Sequence, residues 1–232
     1  MPDPSSVISA KHLSKTYRLG EVEVHALRDV SLDINAGDFV VITGRNGAGK
    51  STLMHNLAVL DRPDSGEIVI NGTDVTKLKK IQRLELRLWH LGYIFQEYAL
   101  IAELSALENV MLPAMMLGSY RAAKTRAEVR LKQFGLEHHS THLPSQLSGG
   151  QQQKLAIARA LINDPMILFA DEPTANLDSV AAKEVLDIFR NLNKDGGHTI
   201  VMVTHEEEET IYANRLVQLV DGRIALDERR KV

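Results

Sequence analysis

Three features of this 232-residue chain predict an α/β fold with β and helical additions. The loop Gly44-Arg45-Asn46-Gly47-Ala48-Gly49-Lys50-Ser51 follows the apolar run Phe39-Val40-Val41-Ile42 and precedes a helical pattern. A second apolar run, Ile167-Leu168-Phe169-Ala170, ends in the carboxylates Asp171-Glu172, the edge where an open α/β sheet places its ligand chemistry. Past Gln151, helical and strand periodicities alternate.

The elements follow in order. Val7 to Leu13 and Val24 to Ile34 alternate as half-buried strands, and Asn35-Ala36-Gly37-Asp38 turns the chain into the buried strand before the glycine loop. A helix opens at Ser51. Pro63-Asp64-Ser65-Gly66 predicts a turn, Glu67 to Ile70 a strand, Asn71-Gly72 a tight turn and Leu91 to Phe95 a strand ending at Gln96. Leu104 to Leu117 and Ala122 to Phe134 have helical spacing and interrupt the α/β pattern. Helix returns at Gln152 to Ile162, strand at Met166 to Ala170, helix at Val180 to Leu192 and strand at Thr199 to Thr204. Leu216 to Val220, Asp221-Gly222 and Arg223 to Leu226 close the chain as a hairpin. The whole reads as one domain, 1–232, with a core and β subdomain over 1–96 and 164–232 and a helical subdomain over 97–163.

Composition narrows the function. Lys+Arg 27 against Asp+Glu 30 leaves a formal charge of -3, so no overall basic field draws in nucleic acid, and no nucleic-acid partner is expected. With no cysteine there is neither a disulfide framework nor a thiol-ligated metal. No apolar run approaches the roughly 20 residues that cross a bilayer, and Met1 to Ala10 lacks the charged-then-apolar pattern of a signal peptide. Spanning a membrane would fall to a partner.

The loop from Gly44 to Ser51 has the pattern G-x-x-x-x-G-K-[ST]. Gly44, Gly47 and Gly49 let backbone amides wrap a β-phosphate, Lys50 can reach β/γ oxygens, and the Ser51 hydroxyl can ligate Mg²⁺. Asp171 can hold Mg²⁺ directly or through water, and Glu172, one residue beyond the strand, can polarise an attacking water. Leu147-Ser148-Gly149-Gly150-Gln151 precedes a second helix, so Ser148 and the Gly149 and Gly150 amides form another anion site at a helix N-terminus.

The glycine loop, Gln96, Leu147 to Gln151, Asp171-Glu172 and His205 follow the order and spacing of ATP-binding cassette (ABC) ATPases, and the resemblance covers nearly the whole chain. It implies a P-loop NTPase fold with an antiparallel β subdomain and a helical signature subdomain. It also implies a homodimer in which Gly44 to Thr52 of one subunit and Ser148 to Gln151 of the other enclose each ATP. In that picture Arg45, Asn46, Ala48 and Thr52 complete the phosphate loop. Tyr17 resembles the aromatic that stacks on adenine, Gln96 the residue linking the Mg²⁺ site to a membrane partner, Asn176-Leu177-Asp178 the dimer-spanning segment, and His205 the histidine contacting the γ-phosphate. Catalytic work thus falls on Glu172, His205, Lys50 and Gln96, and metal ligation on Ser51, Gln96 and Asp171.

Leu60 to Glu67, Leu91 to Gln96, Ala106 to Val110 and Gln146 to Gln153 resemble the lipoprotein-releasing and macrolide-export branch. That branch implies an integral membrane permease, here expected to dock near Gln96 to Leu107 through Leu100, Ile101, Leu104 and Leu107, and a peripheral place on the cytoplasmic side of the membrane. Arg45-Asn46, Ala48 and Lys154 depart from the branch pattern but keep every glycine and Lys50. Two other readings stay open: a cytosolic ABC ATPase acting on ribosomes or DNA, and a nucleotide-dependent scaffold of a membrane complex. His138, His139 and His142 read as surface residues, Glu206 to Glu209 as an acidic first helical turn. Arg121, Lys124, Arg126, Arg130 and Lys132 read as a solvated helix face.

Overall fold

The computed structural model describes residues 6–20 and 22–230. Strands β1 (Ser6–Leu19) and β2 (Val22–Asn35) pair antiparallel. Both outrun the alternating stretches read from sequence, because irregular pairing between Ala10 and Thr16 resets the register and lets the ladder continue where alternation breaks. Strand β3 (Phe39–Thr43) leads through the glycine loop into helix α1 (Lys50–Leu57). Strand β4 (Ser65–Ile70) joins β1, and β5 (Thr73–Asp74) joins β4 across the left-handed pair Asn71-Gly72, the expected two-residue turn. Ser65-Gly66, read from sequence as turn, is instead the start of β4. At Gly66 the φ is +98°, and a Cβ would sit 2.6 Å from the Lys11 and His12 carbonyls, so only glycine lets β4 approach the β1 irregularity there.

Helix α2 (Lys80–His90) leads into β6 (Leu91–Ile94). This helix was not assigned from the sequence. Leu84, Leu86 and Leu88 alternate as a strand would, and no residue of α2 is fully buried to sharpen a helical stripe. Next come α3 (Ala106–Met115), α4 (Tyr120–Gln133), α5 (Gly149–Ala160), β7 (Ile167–Asp171), α6 (Ser179–Lys194), β8 (Thr199–Val203), β9 (Arg215–Val220) and β10 (Arg223–Arg229).

One sheet runs β2-β1-β4-β5, all antiparallel; the other runs β10-β9-β3-β8-β7-β6 and is parallel apart from the β9–β10 pair. The central strands are apolar throughout because both faces are covered. Val40, Ile42, Ile167, Phe169, Val201 and Val203 face a core shared with α1 and the antiparallel sheet. Phe39, Val41, Leu168, Ala170, Ile200 and Met202 face a second core shared with α5 and α6. A third core joins α3, α4 and α5 through Val110, Met111, Ala127, Leu131 and Leu155.

Helix α1 is the pin between the two sheets, with Leu53, Met54 and Leu57 fully buried. Its N-terminus is therefore fixed in space by packing rather than by local propensity. Leu57→Ala should destabilise the protein by about 2–5 kcal/mol, seen as a lower urea midpoint with an unchanged slope.

Candidate nucleotide site

The turn between β3 and α1 depends on three glycines in left-handed or more extended positive-φ states: Gly44 at 149°, Gly47 at 79° and Gly49 at 101°. They serve different ends. A Cβ on Gly44 would lie 2.4 Å from the Leu219 carbonyl and one on Gly49 2.2 Å from the Ala26 carbonyl, so both let the loop press against neighbouring strands. A Cβ on Gly47 would meet nothing within 4 Å; there the backbone borders open space. Gly49 is the N-cap of α1 and offers no side-chain acceptor, and the first turn contains no acidic residue. The leading amides of α1 are left as donors for an anion.

Lys50 is buried, and its ammonium donates to the carbonyls of Gly44 at 2.9 Å and Arg45 at 3.3 Å. The cation thus lies folded back over its own loop. Thr43, Gly44, Arg45, Asn46 and His205 share the wall of a polar cavity of about 790 Å³ that reaches Arg230.

Parallel pairing of β7 with β8 carries Asp171 to the C-terminal edge of the sheet beside α1. The Ser51 hydroxyl donates to Asp171 Oδ1 at 3.4 Å, the Tyr93 hydroxyl donates to Oδ2 at 3.2 Å, and His55 Nε2 lies 3.8 Å from Oδ2. Burial, with only 14% of its side chain exposed, raises the Asp171 pKa, and the charge of Glu172 pushes the same way. Two adjacent carboxylates in poor solvent call for a compensating cation. No group of three or more His, Cys, Asp or Glu that could hold a metal exists among the described residues. A hydroxyl plus one carboxylate beside a polyphosphate cradle suits Mg²⁺, which keeps waters and shares phosphate oxygens instead of filling an all-protein cage.

Glu172 has a φ of 44° and its amide donates to the Val203 carbonyl, which turns the chain off the strand. Its Oε1 lies 3.4 Å from His205 Nδ1, and His205 Nε2 lies 3.1 Å from Glu206 Oε1. A carboxylate and an imidazole therefore stand together on the rim next to the loop. Tyr17 is 37% exposed, and its hydroxyl donates to Asp61 Oδ2 at 3.0 Å. Its ring lies beneath the Lys15 ammonium, 5.3 Å from the ring centre. Asp61 in turn, although burial works against its ionisation, is held below the usual carboxylate range by the Arg62 amide, Lys15 and Tyr17.

Ser148 is the N-cap of α5, in a reciprocal box: its hydroxyl accepts from the Gln151 amide at 3.3 Å while Gln151 Oε1 accepts from the Ser148 amide at 2.9 Å. Among the described residues, no hydrogen bond or ion pair joins Ser148–Gln151 to Gly44–Thr52. The signature helix instead meets other parts: Gly149 packs near Tyr98 and the Asn176 carbonyl, and Asn176 Nδ2 donates to the Gln96 carbonyl at 3.1 Å. Arg159 donates to the carbonyls of Ala99 at 2.6 Å and Tyr98 at 2.8 Å, holding both residues at positive φ. Asp178 caps α6 by accepting from Val180 and Ala181.

Several sequence expectations need correction. Of the four expected docking residues Ile101 is exposed, while Leu100, Leu104 and Leu107 are half-buried, Leu100 and Leu107 packing partly against the α3–α5 core. His139 and His142 are half-buried with ring centres 5.1 Å apart, and His139 Nε2 lies 3.2 Å from Gln151 Nε2. Arg126 and Arg130 both reach Asp164, tying α4 to the loop after α5; Arg126 stays exposed on the expected solvated face, while Arg130 is half-buried. Sequence reasoning also passed over His55, Asp61, Tyr93, Tyr98 and Arg159. Tyr93 stood inside a quoted motif, but nothing in its spacing signals a carboxylate partner across the sheet.

The ABC transporter family model matches residues 27–175, more than half of the chain. The chain belongs to that family. It is 48% identical over 221 residues to the macrolide export ATP-binding/permease protein MacB of Syntrophobacter fumaroxidans, a match covering 94% of this chain and 31% of MacB. It is 46% identical over 219 residues to an uncharacterized ABC transporter ATP-binding protein of Thermotoga maritima, covering 94% of one and 93% of the other. The chain therefore spans about a third of the MacB relatives but nearly all of a separate ATP-binding protein. Among solved structures, the dimeric post-hydrolysis cassette MJ0796 bound to ADP and Pi superposes with a TM-score of 0.90 at 38% identity, covering 97% and 99% of the two chains. The expected fold class is thus established, and the chain is an ATP-binding ABC ATPase cassette.

Gly49→Ala and Gly47→Ala should differ. Both pay about 1–2 kcal/mol for a side chain in a left-handed state, but only the first drives a Cβ into a carbonyl. Thermal unfolding should show the larger loss for Gly49→Ala.

Proposed function

We propose that two copies of this chain close over two Mg·ATP, that hydrolysis reopens them, and that the motion is passed to an integral membrane partner at the cytoplasmic face. The observation that supports this most is the separation of two anion-binding helix ends within one chain. Among the described residues, no hydrogen bond or ion pair joins the α1 end, with Lys50, Ser51, Asp171 and Glu172, to the Ser148–Gln151 end of α5. A second copy, set head to tail, can supply the missing half to each. The dimeric MJ0796 cassette is a relative in which two copies do associate.

In this reading Gly44 to Thr52 of one copy bind the triphosphate through backbone amides, and Lys50 exchanges its loop carbonyls for phosphate oxygens. Ser51 and Asp171 hold Mg²⁺, with Gln96 approaching from the end of β6. Bound there, Mg²⁺ neutralises charge on the β- and γ-phosphates. Glu172 takes the role of base toward water, and His205, beside Glu172, contacts the γ-phosphate. Tyr17, exposed at the loop's flank, stacks on adenine. Ser148, Gly149, Gly150 and Gln151 of the opposite copy close the site, and Asp178 fixes the start of α6 in the segment that spans the two copies.

No helix among the described residues is long and apolar enough to cross a membrane. In this reading force leaves through a docking surface. A cavity of about 280 Å³ opens between α2, the segment after β6 and α5, and its walls include Leu84, Leu88, Phe95, Ala99 and Pro113. It adjoins the expected Gln96–Leu107 region and extends it as the seat for a short helix of the permease. Similarity to MacB supports a macrolide-export type of partner, and the lipoprotein-releasing alternative rests on the sequence resemblance.

Glu172→Gln should bind ATP with unchanged affinity while phosphate release falls on the order of 10²–10⁴-fold; normal steady-state turnover would remove Glu172 from the base role. Leu84→Ser with Leu88→Ser should keep basal ATPase nearly intact while the tagged chain loses the membrane subunit it otherwise brings out of detergent extracts. Parallel loss of both would place these leucines in the fold rather than the docking seat.

A further inference from the structure

Asp171 has more partners than metal binding requires. Its Oδ1 receives the Ser51 hydroxyl, while its Oδ2 receives the hydroxyl of Tyr93 at 3.2 Å with His55 Nε2 at 3.8 Å. The two oxygens are thus sorted, one toward the phosphate loop and one toward the sheet. Tyr93 lies on β6, in register with Phe169 on β7, two residues before the Asp171 carboxylate leaves the same strand. Its ring is held by Phe95 with centres 4.5 Å apart, by Phe169 at 6.4 Å and by His55 at 6.0 Å. A phenol clamped on three sides has little freedom to point elsewhere. Against a carboxylate oxygen, which only accepts, its hydroxyl is the donor.

We propose that Tyr93 is a positioning residue for the metal site: its hydroxyl pins Oδ2 of Asp171 so that Oδ1 stands beside Ser51 for the divalent cation. The inference rests on the reading of Ser51 and Asp171 as metal ligands. Outer partners of this kind orient a ligand and typically contribute 10–100-fold in metal affinity. Because Tyr93 stands on β6 three residues before Gln96, which lies just beyond the strand's end, displacement of that strand end also displaces the donor to Asp171. The metal carboxylate and the segment beside the docking cavity are thereby joined through one hydroxyl.

Tyr93→Phe removes that hydroxyl and keeps the ring. In a Glu172→Gln background, which prevents turnover, Mn²⁺ binding in the presence of ATP is read by electron paramagnetic resonance. Fluorescent ATP binding in EDTA serves as the measure of an intact loop. Tyr93→Phe should weaken Mn²⁺ about 10-fold or more, with metal-free ATP affinity and the melting temperature nearly unchanged. Phe95→Leu, which loosens the same aromatic cluster without touching Asp171, should leave Mn²⁺ affinity close to the parent's. Asp171→Asn should abolish ATP-dependent Mn²⁺ binding.

If Asp171→Asn abolishes it but Tyr93→Phe stays within about twofold of the parent, well short of the outer-partner range, the positioning role is overturned and the metal site stands. Equal weakening by Phe95→Leu and Tyr93→Phe overturns it too, because packing would then carry the effect. Parent-like Mn²⁺ affinity in Asp171→Asn overturns the metal-site reading and the inference with it.

Discussion

The structure depends on a set of backbone amides that have nothing of their own to bond. Strand β3 is buried on both faces, α1 is fixed between two sheets by Leu53, Met54 and Leu57, and the glycine turn joining them ends in a helix without a side-chain cap. Those donors cannot be relieved by local rearrangement, because packing holds both ends of the turn. Lys50, folded back onto the Gly44 and Arg45 carbonyls, adds positive charge to the same point. A polyanion is the natural partner, and the carboxylates of Asp171 and Glu172 at the neighbouring strand end then require a cation between them and the phosphates.

The rest of the molecule bears on that point from several directions. Tyr93 and His55 meet Asp171 from behind, His205 meets Glu172 from the side, and Tyr17 stands at the flank with its hydroxyl on Asp61. The helical subdomain does not join this group directly. Its signature helix approaches it by way of Tyr98, Asn176 and Gln96, where Arg159 secures two residues in left-handed conformation. In the proposed function the mechanical route from the docking cavity to the nucleotide is therefore short, and it passes through hydrogen bonds to main-chain carbonyls. Such contacts respond to small displacements of a strand end more sharply than apolar packing does.

Much of this was legible in the sequence because the chemistry is local. The glycine loop, the strand before it, the acid pair and the Ser148 cap are each contiguous, so spacing alone exposes them. The central strands were equally plain as unbroken apolar runs. Helix α2 escaped because its leucines alternate and its burial is partial. Ser65-Gly66 was misread since its glycine answers a distant irregularity in β1 rather than a turn. The burial of the expected docking residues was not legible: Leu100 and Leu107 pack partly against the α3–α5 core while Ile101 is exposed, and sequence does not distinguish a core-facing apolar residue from an exposed one. The partners of Asp171 were invisible because Tyr93 and His55 reach it across 78 and 116 positions of chain.

The central claim is that each nucleotide is enclosed by amides from two copies. With no cysteine in the chain, Asn46→Cys and Ser148→Cys can be made as two separate single-cysteine proteins in the Glu172→Gln background. Mixed with ATP and a short bis-maleimide, they should give a covalent dimer joining position 46 of one copy to position 148 of the other, and little product without nucleotide. If ATP produces no 46-to-148 product while both proteins still bind it, the two-copy site is contradicted.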